Sequence, residues 1–174
     1  MSKQKKLLEV QVQIEALVPR ARAGGCLYYA AWAKKLLGAQ VLAGTAGWRM
    51  VDVDDGVTGT HFQYLYTETK DDPDFTLLEV KEDKSGSVDL EIAMPEIHIW
   101  NLWCGQYVDL TTKHWPEACK SLAGLDWPGK PPPQVFMGPP SHSNRKFPQW
   151  EYIRNTQATA LANKLVDHYL KGLD

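Results

Sequence analysis

Apolar residues at Leu7, Val10, Ile14, Leu17 and Val18 recur at helical spacing and predict a helix over residues 5–18, ended by Pro19. Val10, Val12 and Ile14 also alternate with glutamines, as in a strand, but the Leu, Glu, Gln and Lys content favours helix. Residues 26–37 are Ala-rich and apolar on nearly all sides at their start, and Gly38 follows them. They predict a buried helix with a glycine stop, entered through the flexible segment Arg20–Gly25. A strand is expected over 40–53 with a break at Gly44 to Gly47, then a turn at Asp54-Asp55-Gly56. Alternation over His61–Thr67 reads as another strand, 69–74 as a charged loop, and Phe75–Val80 and Val88–Ala93 as two more strands. A short helix is expected over His114–Leu122. Residues 124–149 are dense in Pro and Gly, and Val135, Phe136, Met137, Phe147 and Trp150 indicate a loop wrapped on the body. A C-terminal helix is expected over 151–173, with Ile153, Ala160, Leu161, Leu165 and Tyr169 in register. There is no internal repeat and no composition shift marking a second domain, so residues 1–174 read as one α+β domain with an antiparallel sheet.

The stretch Pro95–Thr111 carries the most information. Ile97, Ile99 and Trp100 precede Cys104-Gly105, and Tyr107, Val108 and Leu110 follow it, which is the signature of a hairpin. With Cys104-Gly105 as the loop, Trp100 faces Asp109 and His98 is diagonal to Asp109 on the same face. With Trp103-Cys104 as the loop, His98 and Asp109 are directly opposite. Either register brings an imidazole within reach of a carboxylate. A histidine whose tautomer is fixed by a carboxylate is two-thirds of a nucleophilic triad.

Composition narrows the classes. The net charge of −2 gives no electrostatic reason to expect nucleic acid or an anionic membrane as partner. Glu9 and Glu15 interrupt the apolar residues after the basic N-terminus, so no secretory segment is expected, and Lys34-Lys35 break the richest apolar run. Three widely separated cysteines make a poor disulfide framework, and a reducing, cytoplasmic setting is the expectation. No dinucleotide fingerprint or phosphate-binding loop is present, so no organic cofactor is implied. No pair among His61, His98, Cys104 and His114 has metal-ligand spacing, so no metal is expected. Nothing in the sequence indicates an oligomeric state.

Cys26 is the candidate nucleophile, because it opens a helix directly after Gly24-Gly25. A helix N-terminus offers unsatisfied N–H groups and a partial positive charge, which favour a thiolate and can bind an oxyanion. Gly25 and Trp100 are the candidates for the substrate or oxyanion side of such a site. Cys104 and Cys119 have no comparable setting. Gly-Gly-Cys opening an Ala-rich helix, then His98-Ile99-Trp100-Asn101, then Tyr107-Val108-Asp109-Leu110-Thr111, resembles the transglutaminase-like branch of the papain-like cysteine enzymes, in its small bacterial and phage form. The resemblance covers about residues 20–125. It implies a papain-like fold with the active-site helix packed on the sheet, and a Cys26-His98-Asp109 triad acting on a peptide or protein amide by hydrolysis or acyl transfer. The chain departs from papain-type enzymes in having no Gln between Gln13 and Cys26. Relatives without activity imply the alternative of an inactive binding or structural module.

Overall fold

The structure is a computed structural model, and it describes residues 1–18, 25–49, 61–64, 98–123, 126–127, 131–140 and 149–173. The turn expected at 54–56, the loop at 69–74 and the strands expected at 75–80 and 88–93 lie outside the described residues. The described part is a mixed α+β structure in which helices pack on an antiparallel sheet.

Helix α1 spans Lys3–Leu17, and the Ser2 side chain accepts from the Lys5 N–H at its start. It buries Leu7, Val10 and Ile14 of the five positions the helical spacing singles out, together with Gln11, while Leu17 is exposed and Val18 is the residue after the helix. Helix α2 spans Cys26–Leu37 and stops at Gly38, whose φ of 67° lies in the left-handed region open to glycine. Strand β1 follows at Gln40–Arg49, and β2 at His61–Tyr64 pairs with its second half. Strands β3 (His98–Trp103) and β4 (Gln106–Asp109) form the hairpin. A short 3-10 turn at Thr112–His114 leads into α3, Trp115–Ala123. Strand β5 spans Phe136–Gly138, β6 spans Gln149–Arg154 and α4 spans Thr156–Lys171.

The sheet runs β2-β1-β3-β4-β5, with β6 also paired to β1. β1 is its hub, antiparallel to β3 along Gln40–Gly44 and to β6 along Gly44–Arg49. No break occurs at Gly44 or Gly47, since β1 runs through both, and at Gly44 the missing side chain serves close approach rather than a turn. A Cβ at Gly44 would collide with the Ile153 carbonyl oxygen of β6. β1 is buried on both faces: Val41 and Ala43 join α2 and α4, while Leu42 and Ala46 join an aromatic layer with Trp100, Trp115, Phe136 and Tyr152. The third cluster packs α1 against α2, Val108, Leu110 and Val135.

Two further expectations require correction. The C-terminal segment is not helical from residue 151: Gln149–Arg154 is a strand, and the helix starts after Asn155. Aromatic and β-branched residues at Trp150, Tyr152 and Ile153 favour the sheet. Asn155 then caps α4 by accepting from the Ala158 N–H. The Pro-rich segment is not loop throughout, since Phe136–Gly138 pairs with Tyr107–Asp109 of β4. The segment does pack on the body: Val135 and Phe136 are buried, the Pro133 carbonyl accepts from Thr112 Oγ1, and the Gln134 carbonyl accepts from Gln11 Nε2. Among the described residues, no helix is long and apolar enough to cross a membrane.

Candidate active site

The hairpin adopts the first of the two registers, with Trp103 paired to Gln106 and Asn101 to Val108. Cys104 and Gly105 form the loop with φ of 52° and 73°. Positive φ at both central residues is what a tight hairpin turn of matching twist requires. This register leaves His98 diagonal to Asp109, and the side chains meet: His98 Nε2 lies 2.6 Å from Asp109 Oδ2.

The carboxylate is fixed from its other side as well. The Thr111 N–H donates to Asp109 Oδ1 at 2.8 Å and the Thr111 hydroxyl donates to the same oxygen at 2.6 Å. The turn after β4 therefore wraps its own backbone and hydroxyl around the acid, as Asp-x-Thr sequences can. Tyr152, from β6, donates its hydroxyl to Asp109 Oδ2 at 2.9 Å.

Cys26 is the first residue of α2 and stands within hydrogen-bonding reach of the His98 ring. With Nε2 committed to Asp109, Nδ1 is the ring nitrogen left over. Asn101 fixes the helix against the strand, donating from Nδ2 to the carbonyls of Ala30 at 3.1 Å and Gln40 at 3.2 Å. The asparagine of the His98–Asn101 stretch thus acts through the backbone, holding the cysteine's helix and the histidine's strand in one frame. Gly25 is the residue before the helix, and its carbonyl accepts from the N–H groups of Tyr28 and Tyr29. The N–H groups of Cys26 and Leu27 open the helix without an intrahelical acceptor.

The site is enclosed. Cys26 is 5% exposed, His98 0% and Asp109 1%. Aromatic rings surround the imidazole: Trp100 stacks at a centroid distance of 6.1 Å, and Trp115 presents an edge at 5.8 Å. Trp100 is itself only 1% exposed and belongs to the core. The structure therefore corrects its expected place on a substrate surface: it is a wall behind His98, because the even-numbered face of β3 is covered by α3 and β6. Trp103, on the other face, is half-buried.

Burial and charge oppose each other here. Burial by itself would push the His98 imidazole down, but the Asp109 charge and hydrogen bond outweigh it, the Cys26 contact adds to them, and His98 is held up at about 9. Burial would raise the Asp109 carboxyl, yet the charge and hydrogen bond of His98 and the two Thr111 donors hold it below the usual carboxylate range. The Tyr152 phenol is raised by burial and by the neighbouring Asp109 charge, so it stays protonated and remains a donor. At neutral pH the pair is an imidazolium on a carboxylate. Such a group can hold a thiol's proton, give it to a leaving group and take one from water.

Tyr152 is the member that the sequence reading misses. It sits in a segment that reads as helix, so no pattern points it at the hairpin. The available signal is Asn155, a helix-cap residue that would have made Gln149–Arg154 a candidate strand. His114 lies elsewhere, hydrogen-bonded to Tyr29 at 3.0 Å and 3.6 Å from Glu15. Among the described residues, no group of three His, Cys, Asp or Glu side chains could hold a metal ion. Neither a family model, nor a curated protein, nor a solved structure matches this chain.

Proposed function

We propose that the protein is a cysteine-dependent acyl-transfer enzyme that hydrolyses a peptide or isopeptide-type amide. One observation carries the reading: an imidazole held by a fully buried carboxylate stands within reach of the cysteine that opens a helix. The Cys26 sulfur attacks the amide carbon, with its proton held by His98. The oxyanion sits at the N–H groups that open α2. Collapse breaks the C–N bond, and His98 passes its proton to the departing amine. Water then attacks the thioester, His98 takes the water's proton, and cleavage of the C–S bond releases the acid and restores the thiol. Asp109 stabilises the imidazolium throughout and does not itself take the proton. A helix opening with the cysteine, packed on a hairpin that carries histidine and then acid, supports a papain-like, transglutaminase-like architecture for the mixed α+β fold.

The test is iodoacetamide labelling at each cysteine, read by mass spectrometry across pH, in wild type and His98→Ala. The expected result is labelling of Cys26 that depends on His98, beside labelling of the exposed Cys104 that does not. Amide turnover should fall by about 10²–10⁴-fold in His98→Ala, the usual worth of a general acid–base. Slow labelling of Cys26 that ignores His98 would remove the enzyme reading. It would favour a non-catalytic binding module, to which the near-complete enclosure of the three side chains also points.

A further inference from the structure

The Asp109 carboxylate has four donors around it, and they are not equivalent. Oδ1 accepts from Thr111 twice, from its N–H at 2.8 Å and its hydroxyl at 2.6 Å. Oδ2 accepts from His98 Nε2 at 2.6 Å and from the Tyr152 hydroxyl at 2.9 Å. A carboxylate offers about four lone-pair sites, so all are used. The two Thr111 donors come from the adjacent turn and hold the acid in place. Tyr152 comes from another strand and lands on the oxygen that holds His98.

Packing alone does not require that hydroxyl. The Tyr152 ring stacks on Phe136 at 4.9 Å and meets Trp100 edge-on at 5.3 Å, contacts a phenylalanine ring would also make. Its hydroxyl is buried, and Asp109 is its acceptor. Among the described residues, the titratable groups facing His98 are Cys26 from α2, Asp109 from β4 and Tyr152 from β6, while α3 contributes the Trp115 indole.

We infer that Tyr152 is a positioning residue for His98: by donating to the oxygen that His98 uses, it limits how tightly Asp109 holds the imidazolium proton. A second donor on Oδ2 draws charge away from the His98 hydrogen bond and weakens that oxygen as an acceptor. Both donors also fix the carboxylate plane, and with it the orientation of the imidazole that Asp109 holds. The consequence for turnover rests on the acyl-transfer reading, in which a less tightly held imidazolium gives its proton up more readily to a leaving amine. The effect on His98 itself does not depend on that reading. It also connects the C-terminal β6–α4 unit to the site, since β6 pairs with β1 and the Asn155 N–H at its end donates to the Ala43 carbonyl at 2.9 Å.

The test is the titration midpoint of His98, followed by nitrogen-15 NMR of the imidazole in the full chain. Three proteins are compared: wild type, Tyr152→Phe, and the protein with Tyr152 replaced by 3-fluorotyrosine. Phenylalanine removes the competing donor, so the midpoint should rise by about half a pH unit, a modest part of what one hydrogen bond to a charged group is worth. Fluorotyrosine is a stronger donor with nearly the same shape, so the midpoint should fall. Opposite shifts are not expected from a ring that only fills space. An unchanged midpoint in both variants, or a fall with phenylalanine, overturns the inference. Should Tyr152→Phe fail to fold, the fluorotyrosine protein decides alone. If the midpoints move as expected while Cys26 labelling ignores His98, the positioning role stands and the acyl-transfer reading falls.

Discussion

Replacing Asp109 by Asn removes the charge that holds His98 while keeping the size of the side chain. In the folded protein His98 titrates at about 9 against an ordinary 6.5. At ~1.4 kcal/mol per pH unit, that rise corresponds to roughly 3 kcal/mol of stability. The sign follows from its direction. His98 is raised, so its contribution is whole below pH 6.5 and is lost as the pH climbs through about 9. Asp109 is lowered, so its contribution is whole above 3.8 and is lost as the pH falls through its depressed value. The pair is therefore worth most between pH 3.8 and 6.5. In Asp109→Asn the His98 ring stays buried without a counter-charge and its affinity for a proton drops. The asparagine oxygen is matched to the two Thr111 donors, so its NH2 faces His98, and a neutral ring meets it with an unprotonated Nε2. The proton then sits on Nδ1, the wrong nitrogen for receiving one from Cys26. Urea unfolding at about pH 6 should show a loss of roughly 3 kcal/mol relative to wild type, with the gap narrowing toward pH 10. Nitrogen-15 NMR of the imidazole should show a neutral ring at pH 7. A stability gap that does not change with pH, or an imidazolium that persists in the variant, would refute the reasoning.

Gly44→Ala should destabilise the fold by about 1–3 kcal/mol, read as a lower urea midpoint, because the new methyl group meets the Ile153 carbonyl where β6 crosses β1. Gln11→Ala should cost about 1–3 kcal/mol by thermal unfolding. Its Nε2 bridges the carbonyls of Leu110 at 2.7 Å and Gln134 at 2.8 Å, tying α1 to the turn after β4 and to the Pro-rich segment. Asn155→Ala removes the cap of α4 and should cost about 1 kcal/mol, with fraying of the first turn visible in amide exchange at Ala158 and Thr159.

Local chemistry and periodicity determined much of what the described residues show. The spacing of Leu7, Val10 and Ile14 set the buried stripe of α1, and Gly38 set the end of α2 through its left-handed conformation. Residues Cys26–Leu37 form the helix that their composition predicts. The hairpin around Cys104-Gly105 was legible, and with it the approach of His98 to Asp109 across eleven positions of chain, while the choice between its two registers came from the structure. Each of these is a short-range matter: a turn, a cap or a repeating face is encoded within a few residues and leaves a visible pattern.

What the sequence could not carry is set by contacts distant along the chain. Cys26 and His98 are 72 positions apart (98 − 26), and only the packing of α2 on β3, held by Asn101, brings them together. Tyr152 reaches Asp109 because β6 returns to pair with β1, a pairing that no local pattern announces. Phe136–Gly138 is a strand because β4 offers it an edge, in spite of prolines on both sides. Gln149–Arg154 is likewise a strand because it pairs along β1, although its residues from 151 onward read as helix. The protonation of His98 is decided the same way: burial and an adjacent carboxylate pull it in opposite directions, and only the tertiary structure determines that the carboxylate wins.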